Sequence, residues 1–256
     1  MKIVPVQGVV LRYSNFKEAD RMLTILTPAR GKIQVLAKGC RRQKSRFLSA
    51  SELFSYCNYM LFKYRDIYIM TGADINDVFF DIRNDVDRFA YGTYILNLTE
   101  ISANPEEGNY PLFHLLLYSI TMLAYSDMHP EDMTNIYQIK LSDILGYRPR
   151  LERCVYCDRA ISTVDRFSIY NGGIVCDGCY DREKTGYNIH MGTLQTMRYI
   201  LNTDLDKLKN LKFTPQVRAE LSNLMEQYLA QRLERYAKAK EFIDRRKALT
   251  ENEIKC

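Results

Sequence analysis

The sequence predicts an α+β protein: a small five-stranded β-barrel, then a mostly α-helical domain that carries a four-cysteine insertion. Three observations predict it. Residues 1–80 hold apolar residues at period two, the period turns helical from residue 81, and two Cys-x-x-Cys pairs interrupt the helical pattern between residues 150 and 190. The expected domains are therefore 1–80, 81–149 as the first helical part, 150–190 as the cysteine module, and 191–256 as the second helical part.

The strands come first. Val4, Val6, Val9 and Leu11 lie in a β-branched run, and Met22–Thr27 follows, closed by Pro28 and Gly31. Ile33, Val35 and Ala37 alternate with polar residues. Leu53–Tyr64 carries Phe54, Tyr56, Met60 and Phe62 on one parity, and Ile67–Ile75 lies beyond the polar turn Arg65-Asp66. Five short strands with polar or Gly-containing connections predict a closed or nearly closed barrel. The OB-fold is the five-stranded barrel most often found with a nucleic-acid face.

The charge of this barrel is concentrated. From Arg21 to Ser51 the chain holds Arg21, Arg30, Lys32, Lys38, Arg41, Arg42, Lys44 and Arg46, and no Asp or Glu. The whole chain is +5, so the rest of it sums to −3. Residues 1–80 hold 13 Lys/Arg against 6 Asp/Glu, which makes the barrel +7 and the remainder −2. A localised cationic surface on an otherwise balanced protein points to a polyanion, and nucleic acid is the first candidate. The plainer alternative is a solvated basic loop. Lys38, Arg41, Arg42, Lys44 and Arg46 are the expected main phosphate contacts, with Arg21, Arg30 and Lys32 contributing from neighbouring strands. Phe47, Tyr13 and Tyr56 are lower-ranked stacking candidates, because each suits a barrel core as well.

From Asp81 a helix is expected to run to Asn104-Pro105, with Asp81, Asp85 and Asp87 in its first turns. Three acids there allow a nuclease-like metal cluster, but acids at a helix N-terminus are favoured by the macrodipole alone, and that reading is preferred. A second helix, from Pro111 to about Ser126, is apolar nearly all round and is expected to be the buried centre of a bundle. A third runs from Pro130 to Leu145 and stops at Gly146, with Pro149 as a breaker. Leu194–Leu201 and Leu205–Leu211 read as short helices. The last helix has Thr214 as N-cap and Pro215 at its first position. Beyond Gln231 it turns basic, with Arg232, Arg235, Lys238, Lys240, Arg245, Arg246 and Lys247. Such a tail is either a second phosphate-contacting surface or a face whose opposite charges pair along the helix.

Cys154-Val-Tyr-Cys157 and Cys176-Asp-Gly-Cys179 are separated by 18 residues, which matches the spacing of four-cysteine zinc sites. Phe167–Tyr170, Asn171-Gly172-Gly173 and Ile174-Val175 read as a hairpin with a type I′ turn, which would return the second pair to the first. Four thiolates satisfy a tetrahedral Zn²⁺ and leave no position open for water, so one structural Zn²⁺ is expected rather than a catalytic one. Redox dithiols, an iron–sulfur cluster and unpaired buried cysteines are the alternatives. Residues 150–190 hold six Lys/Arg and six Asp/Glu, so with four thiolates and one Zn²⁺ the module is about −2 and a poor phosphate binder.

Other chemistry is not indicated. No Gly-x-x-x-x-Gly-Lys-Ser/Thr loop occurs, so no nucleotide is expected. His114, His129 and His190 are dispersed, and His114, in the apolar helix, reads as a core residue. No nucleophile–base arrangement is indicated, so the protein is not expected to be an enzyme. The N-terminus lacks a signal-peptide pattern, and Leu112–Tyr125 is polar-interrupted and shorter than the ~20 residues of a membrane span. The expected location is cytoplasmic, without membrane contact.

Taken together these residues resemble the bacterial recombination mediator RecO family. Gly8-Val-Val-Leu11, Glu18-Ala-Asp20, Leu26-Thr27, Gly31, Ala37-Lys-Gly39, Arg41-Arg42 and Ser45 are similar to the family's N-terminal pattern. Gly146-Tyr147, Pro149, the two cysteine pairs, Phe167-Ser168 and Gly172-Gly173 are similar to its central pattern. The sequence departs from the family at Cys40, where a small or aliphatic residue is usual, at Leu48-Ser-Ala-Ser51, which lacks the usual proline, and at Arg232-Leu-Glu-Arg235, which lacks a Gly-Arg step. The resemblance implies an OB-fold, a helical bundle with a zinc-binding insertion, and a non-enzymatic role in DNA repair at the nucleoid. It implies binding of single- and double-stranded DNA and annealing of complementary strands. With RecR as partner, it also implies help in loading RecA onto DNA coated by the single-strand-binding protein SSB, whose C-terminal tail would be held by the helical domain. The rival readings are an OB-fold RNA-binding protein, a metal-dependent nuclease using Asp81, Asp85 and Asp87, and a zinc-stabilised adaptor.

Overall fold

The computed structural model describes residues 3–161, 166–183, 186–234, 236 and 244. Arg235, Lys238, Lys240, Arg245, Arg246 and Lys247 of the basic C-terminal stretch lie outside them. The chain forms two compact units, one built on Met1–Tyr125 and one on Ser126–Ala237. No helix among the described residues is long and apolar enough to cross a membrane.

The first unit opens with five strands, β1 (Ile3–Phe16), β2 (Asp20–Thr27), β3 (Gly31–Ala37), β4 (Tyr56–Tyr64) and β5 (Ile67–Asp77). They close into a barrel in the order β1-β2-β3-β5-β4, with β1 also paired to β4 and only β3–β5 parallel. This is the expected OB-fold. The long β1 serves two neighbours, pairing with β4 over Ile3–Val9 and with β2 over Val9–Phe16. A register shift between Val10 and Arg12 bends it from one to the other. Inward residues such as Val10, Leu23, Ile25, Val35, Tyr59 and Leu61 make the barrel core. β4 starts at Tyr56 rather than at Leu53, because Phe54 sits at φ 71° and breaks the extended backbone.

After the barrel the single expected helix is two, α1 (Phe80–Asn84) and α2 (Val86–Ser102). Asp85 separates them in an extended conformation, and its carboxylate accepts from the Arg88 N–H at 2.9 Å. That makes Asp85 an N-cap, in agreement with the macrodipole reading of the acids. α3 (Tyr110–Tyr125) is not a buried centre. Leu112, Leu115, Leu116, Ser119 and Leu123 face inward, while Tyr110, His114, Thr121 and Tyr125 are exposed. Tyr125 reaches water with a hydroxyl that donates to the Asp77 carboxylate. A count of apolar letters overstated its burial, and His114 is a surface residue rather than a core one.

In the second unit the helix buried on most sides is α4 (Pro130–Ile144), with ten of its 15 residues buried. Several are polar, and two of them, Asp132 and Asn135, bond to the last helix. α5 (Met191–Asn202) and α6 (Pro215–Ala230) pack with α4. Leu205–Leu208 is a 3-10 turn rather than a helix. α6 starts as expected, with Thr214 Oγ1 accepting from the Val217 N–H and Pro215 in the first turn. Between α4 and α5 lies a three-stranded sheet, β6 (Arg166–Ser168), β7 (Gly173–Val175) and β8 (Tyr187–Asn188), in the order β7-β6-β8.

Candidate nucleic-acid interface and metal centre

The basic stretch leaves the barrel at the end of β3 and returns to it at β4. It is an ordered chain of tight turns, not a loose loop. Gly39 turns the chain at φ 65°, a conformation glycine adopts without strain. Arg42 N–H then closes on Gly39 O, Ser45 N–H on Arg42 O, Leu48 N–H on Ser45 O and Ser51 N–H on Leu48 O. Three successive carbonyls at the far end are bonded, Ser49 O by Ser55 Oγ at 2.6 Å within the segment, and Ala50 O by Tyr59 Oη at 2.9 Å and Ser51 O by Arg21 at 3.1 Å from the barrel. Cys40 and Ala50 are fully buried in the barrel core and Phe47 packs against it. The Cys40 departure is thereby explained, since a buried thiol behaves as a small apolar side chain. Likewise Ser49–Ser51 form a 3-10 turn without proline, because Ser51 Oγ donates to Leu48 O.

This turn chain sorts the eight cations into three groups. Lys38, Arg42 and Lys44 are exposed and have no carboxylate partner among the described residues. Arg41 and Arg46 are exposed too, each resting one guanidinium nitrogen on a backbone carbonyl, Glu18 O at 3.0 Å and Thr71 O at 3.2 Å. Arg46 also lies over the Phe47 ring at 4.8 Å. Carbonyl contacts leave the charge unneutralised and the remaining N–H donors free for phosphate.

Arg21 is different. It is 9% exposed, its guanidinium lies 4.0 Å over the Tyr13 ring, and it donates to Glu52 at 2.7 Å. Arg30 and Lys32 sit at the opposite end of β3 from Lys38, about 20 Å away at ~3.3 Å per residue. There Lys32 Nζ donates to Glu100 O at 2.7 Å, and Arg30 lies 3.9 Å from Glu106. The expected stacking residues are also engaged: Tyr13 beneath Arg21, Phe47 beneath Arg46, and Tyr56 6.3 Å from the Phe113 ring. Sequence spacing alone does not separate these groups, because strand length and pairing partners decide them.

The cysteines converge as their spacing predicts. The Sγ atoms of Cys154, Cys157, Cys176 and Cys179 all lie within 4.8 Å of one another, with Cys157 and Cys176 3.5 Å apart. Four thiolates ~2.3 Å from one centre would be roughly 3.8 Å apart, so the donor set fits a tetrahedral ion. Each pair is a tight turn, with Asp158 N–H on Cys154 O and Cys179 N–H on Cys176 O. The segment before Cys154 runs alongside β7: Arg150 N–H donates to Gly172 O, Ile174 N–H to Arg150 O, and Val155 N–H to Ile174 O. Gly173 is required there, because a Cβ would lie 2.4 Å from Arg150 O. The hairpin exists, but its turn is four residues, Ile169–Gly172, since Ser168 pairs with Gly173. Ser168 Oγ accepts from the Asn171 N–H, and Gly172 N–H closes on Ser168 O, which draws the chain past a two-residue type I′ turn.

Burial pushes the Cys179 thiol up to about 12, with its three neighbouring thiols adding to the effect. Burial also opposes ionisation at Cys154, yet the N–H groups of Cys176, Cys157 and Tyr156 outweigh it and bring that thiol down to about 6. Three of the module's arginines are held by nearby acids: Arg150 and Arg153 by Asp158, and Arg159 by Asp177. The module is anchored to α6, where Phe167 meets the buried Tyr228 edge-on at 5.6 Å, while Arg232, just past the helix, lies over the same Tyr228 ring at 3.6 Å.

Comparison with known proteins agrees with this geometry. The family model described as recombination protein O N terminal matches residues 1–79, and the one described as recombination protein O C terminal matches residues 83–241. The chain is 32% identical over 233 residues to a protein of Alkaliphilus metalliredigens named DNA repair protein RecO, covering 91% of this chain and 95% of that one. It is 30% identical to the protein of that name from Acetivibrio thermocellus over the whole of both chains, and 31% identical to that of Symbiobacterium thermophilum over 95% and 98%. With both halves matched and its relatives aligned nearly end to end, the chain belongs to the recombination protein O (RecO) family.

Proposed function

We propose that this protein is a non-enzymatic recombination mediator in DNA repair. It binds single- and double-stranded DNA, anneals complementary strands and, with RecR, helps load RecA onto DNA coated by SSB, whose C-terminal tail it holds. The observation that carries the reading is the basic turn chain: five exposed cations on an ordered scaffold, without a carboxylate partner among the described residues. Two single strands repel each other through their phosphates, and a surface that neutralises several of them lowers that barrier and concentrates the strands. Annealing is downhill, so it needs charge neutralisation and alignment rather than a chemical step.

The proposed DNA contacts are Lys38, Arg41, Arg42, Lys44 and Arg46. Arg30 and Lys32 serve a more distant stretch of backbone. Cys154, Cys157, Cys176 and Cys179 are the proposed ligands of one Zn²⁺. When bound, that ion cross-links the two cysteine turns and supplies no open position for catalysis. The protein acts in the cytoplasm, at the nucleoid.

The test is the variant Arg41→Ala/Arg42→Ala/Lys44→Ala/Arg46→Ala. Removing four phosphate contacts is expected to lower the slope of log affinity against log salt by about 3 for single-stranded DNA, and to abolish annealing of SSB-coated strands. Unchanged binding and slope would refute the assignment. Competition between single-stranded RNA and DNA of one sequence separates this reading from an RNA-binding barrel.

A further inference from the structure

We infer that residues 18–21, the end of the turn after β1 and the first two residues of β2, clamp the basic stretch at both ends, and that Asp20 and Arg21 act on DNA only by holding it in shape. The inference rests on the DNA-contact reading of the basic turn chain.

At the entry, Asp20 Oδ1 accepts from the Gly39 N–H at 2.7 Å, Ala19 O accepts from the Arg41 N–H at 3.0 Å, and Glu18 O accepts from the Arg41 guanidinium at 3.0 Å. At the exit, one nitrogen of Arg21 donates to Ser51 O at 3.1 Å, Ser51 Oγ at 3.2 Å and Glu52 Oε1 at 2.7 Å. Four consecutive residues, Glu18 to Arg21, thus hold a segment that leaves the barrel after Ala37 and rejoins it at Tyr56.

The clamp serves two ends. A preordered chain of turns presents Lys38, Arg42 and Lys44 with little loss of backbone freedom when DNA arrives. It also engages the two carboxylates that flank the stretch, since Asp20 accepts from a backbone N–H and Glu52 is paired with Arg21. Arg21 has no path to phosphate from this position: Tyr13 covers its face and only 9% of it is exposed. It is a positioning residue. The Glu18-Ala-Asp20 motif has the same explanation, as the part of the barrel that shapes the contact segment.

The experiment uses the full-length protein, a labelled oligothymidylate and anisotropy titrations across a salt series, for Asp20→Ala, Arg21→Met and Arg42→Ala. Asp20→Ala removes a negative charge beside the cations, so electrostatics alone predicts tighter binding, whereas loss of the clamp predicts binding weaker by about tenfold. Arg21→Met is expected to weaken binding with its salt slope unchanged, while Arg42→Ala lowers the slope by roughly 0.7. In the DNA-free protein, hydrogen exchange at the Arg41, Arg42 and Ser45 amides is expected to rise about tenfold in both clamp variants.

Tighter binding by Asp20→Ala, a slope loss in Arg21→Met equal to that of Arg42→Ala, or unchanged amide exchange would each overturn the clamp. An unchanged slope in Arg42→Ala would instead count against the DNA-contact reading, and the exchange data would still decide the clamp. Should Arg21→Met fail to fold, Asp20→Ala, at a half-buried position, decides by itself.

Discussion

Arg21 and Arg42 are the same letter in one basic window, yet they occupy opposite situations. Arg42 is exposed with no carboxylate partner among the described residues, while Arg21 lies under the segment, paired with Glu52 and capped by a ring. Nothing in the letters separates them; pairing register does, since Arg21 faces Ala37 at the last step of the β2–β3 ladder. Cys40 makes the same point for an apolar contact. It is fully buried in the barrel core beneath the cations. Cys40→Ser places a hydroxyl there without an assured partner, and about 2 kcal/mol of stability should be lost in urea unfolding, against about 1 kcal/mol for Cys40→Ala. Equal stability of the serine variant and the native protein would show that Cys40 is not sealed from water.

At the scale of elements, the second unit is held by a polar seam rather than an apolar one alone. Asp132 on α4 accepts both prongs of Arg218 on α6, at 2.5 and 2.9 Å. Asn135 donates to Arg218 O and Ser222 Oγ, and Ser222 Oγ donates to Glu131 at 2.6 Å. Asp132 is 2% exposed, so Asp132→Ala removes a buried carboxylate that makes two charge-assisted bonds to Arg218 and should cost about 3 kcal/mol by thermal or chemical denaturation. Asp132→Leu combined with Arg218→Met should recover much of that loss, because a matched apolar pair leaves no uncompensated charge. No recovery would mean that the pair contributes more than it costs to desolvate.

The cysteine module depends on backbone contact in the same way. Gly173→Ala forces the chain off Arg150 O and so pulls the first cysteine turn away from β7. Release of the proposed Zn²⁺ to a chromogenic chelator should accelerate at least several-fold, and an unchanged release rate would show that the turn holds its shape without that ladder.

For the whole molecule, the two chemical signatures divide between the two units. The barrel carries the excess positive charge of a chain that is +5 overall, and the cysteines belong to the other unit. Removing the proposed Zn²⁺ with a strong chelator should lower the melting temperature of the second unit. It should leave the affinity of the basic segment for single-stranded DNA within about twofold, as expected of a module with as many acids as basic residues and three arginines paired to its own acids. A loss of DNA affinity in step with metal loss would place the module in the interface.

The sequence by itself determined the barrel, the change to helical period near residue 81, the address of the positive charge and the four converging cysteines. Each is a local or strictly periodic signal, and composition or spacing carries it directly. Only the tertiary structure decided which cations are exposed, that Asp85 splits a helix, that α4 rather than α3 is the most buried, and how long the hairpin turn is. Those outcomes rest on partners distant in sequence: Glu52 for Arg21, Glu100 for Lys32, α6 for the polar face of α4. A hydrogen bond or ion pair between remote residues leaves no period and no motif in the chain, so the fold must bring its two ends together before either can be read.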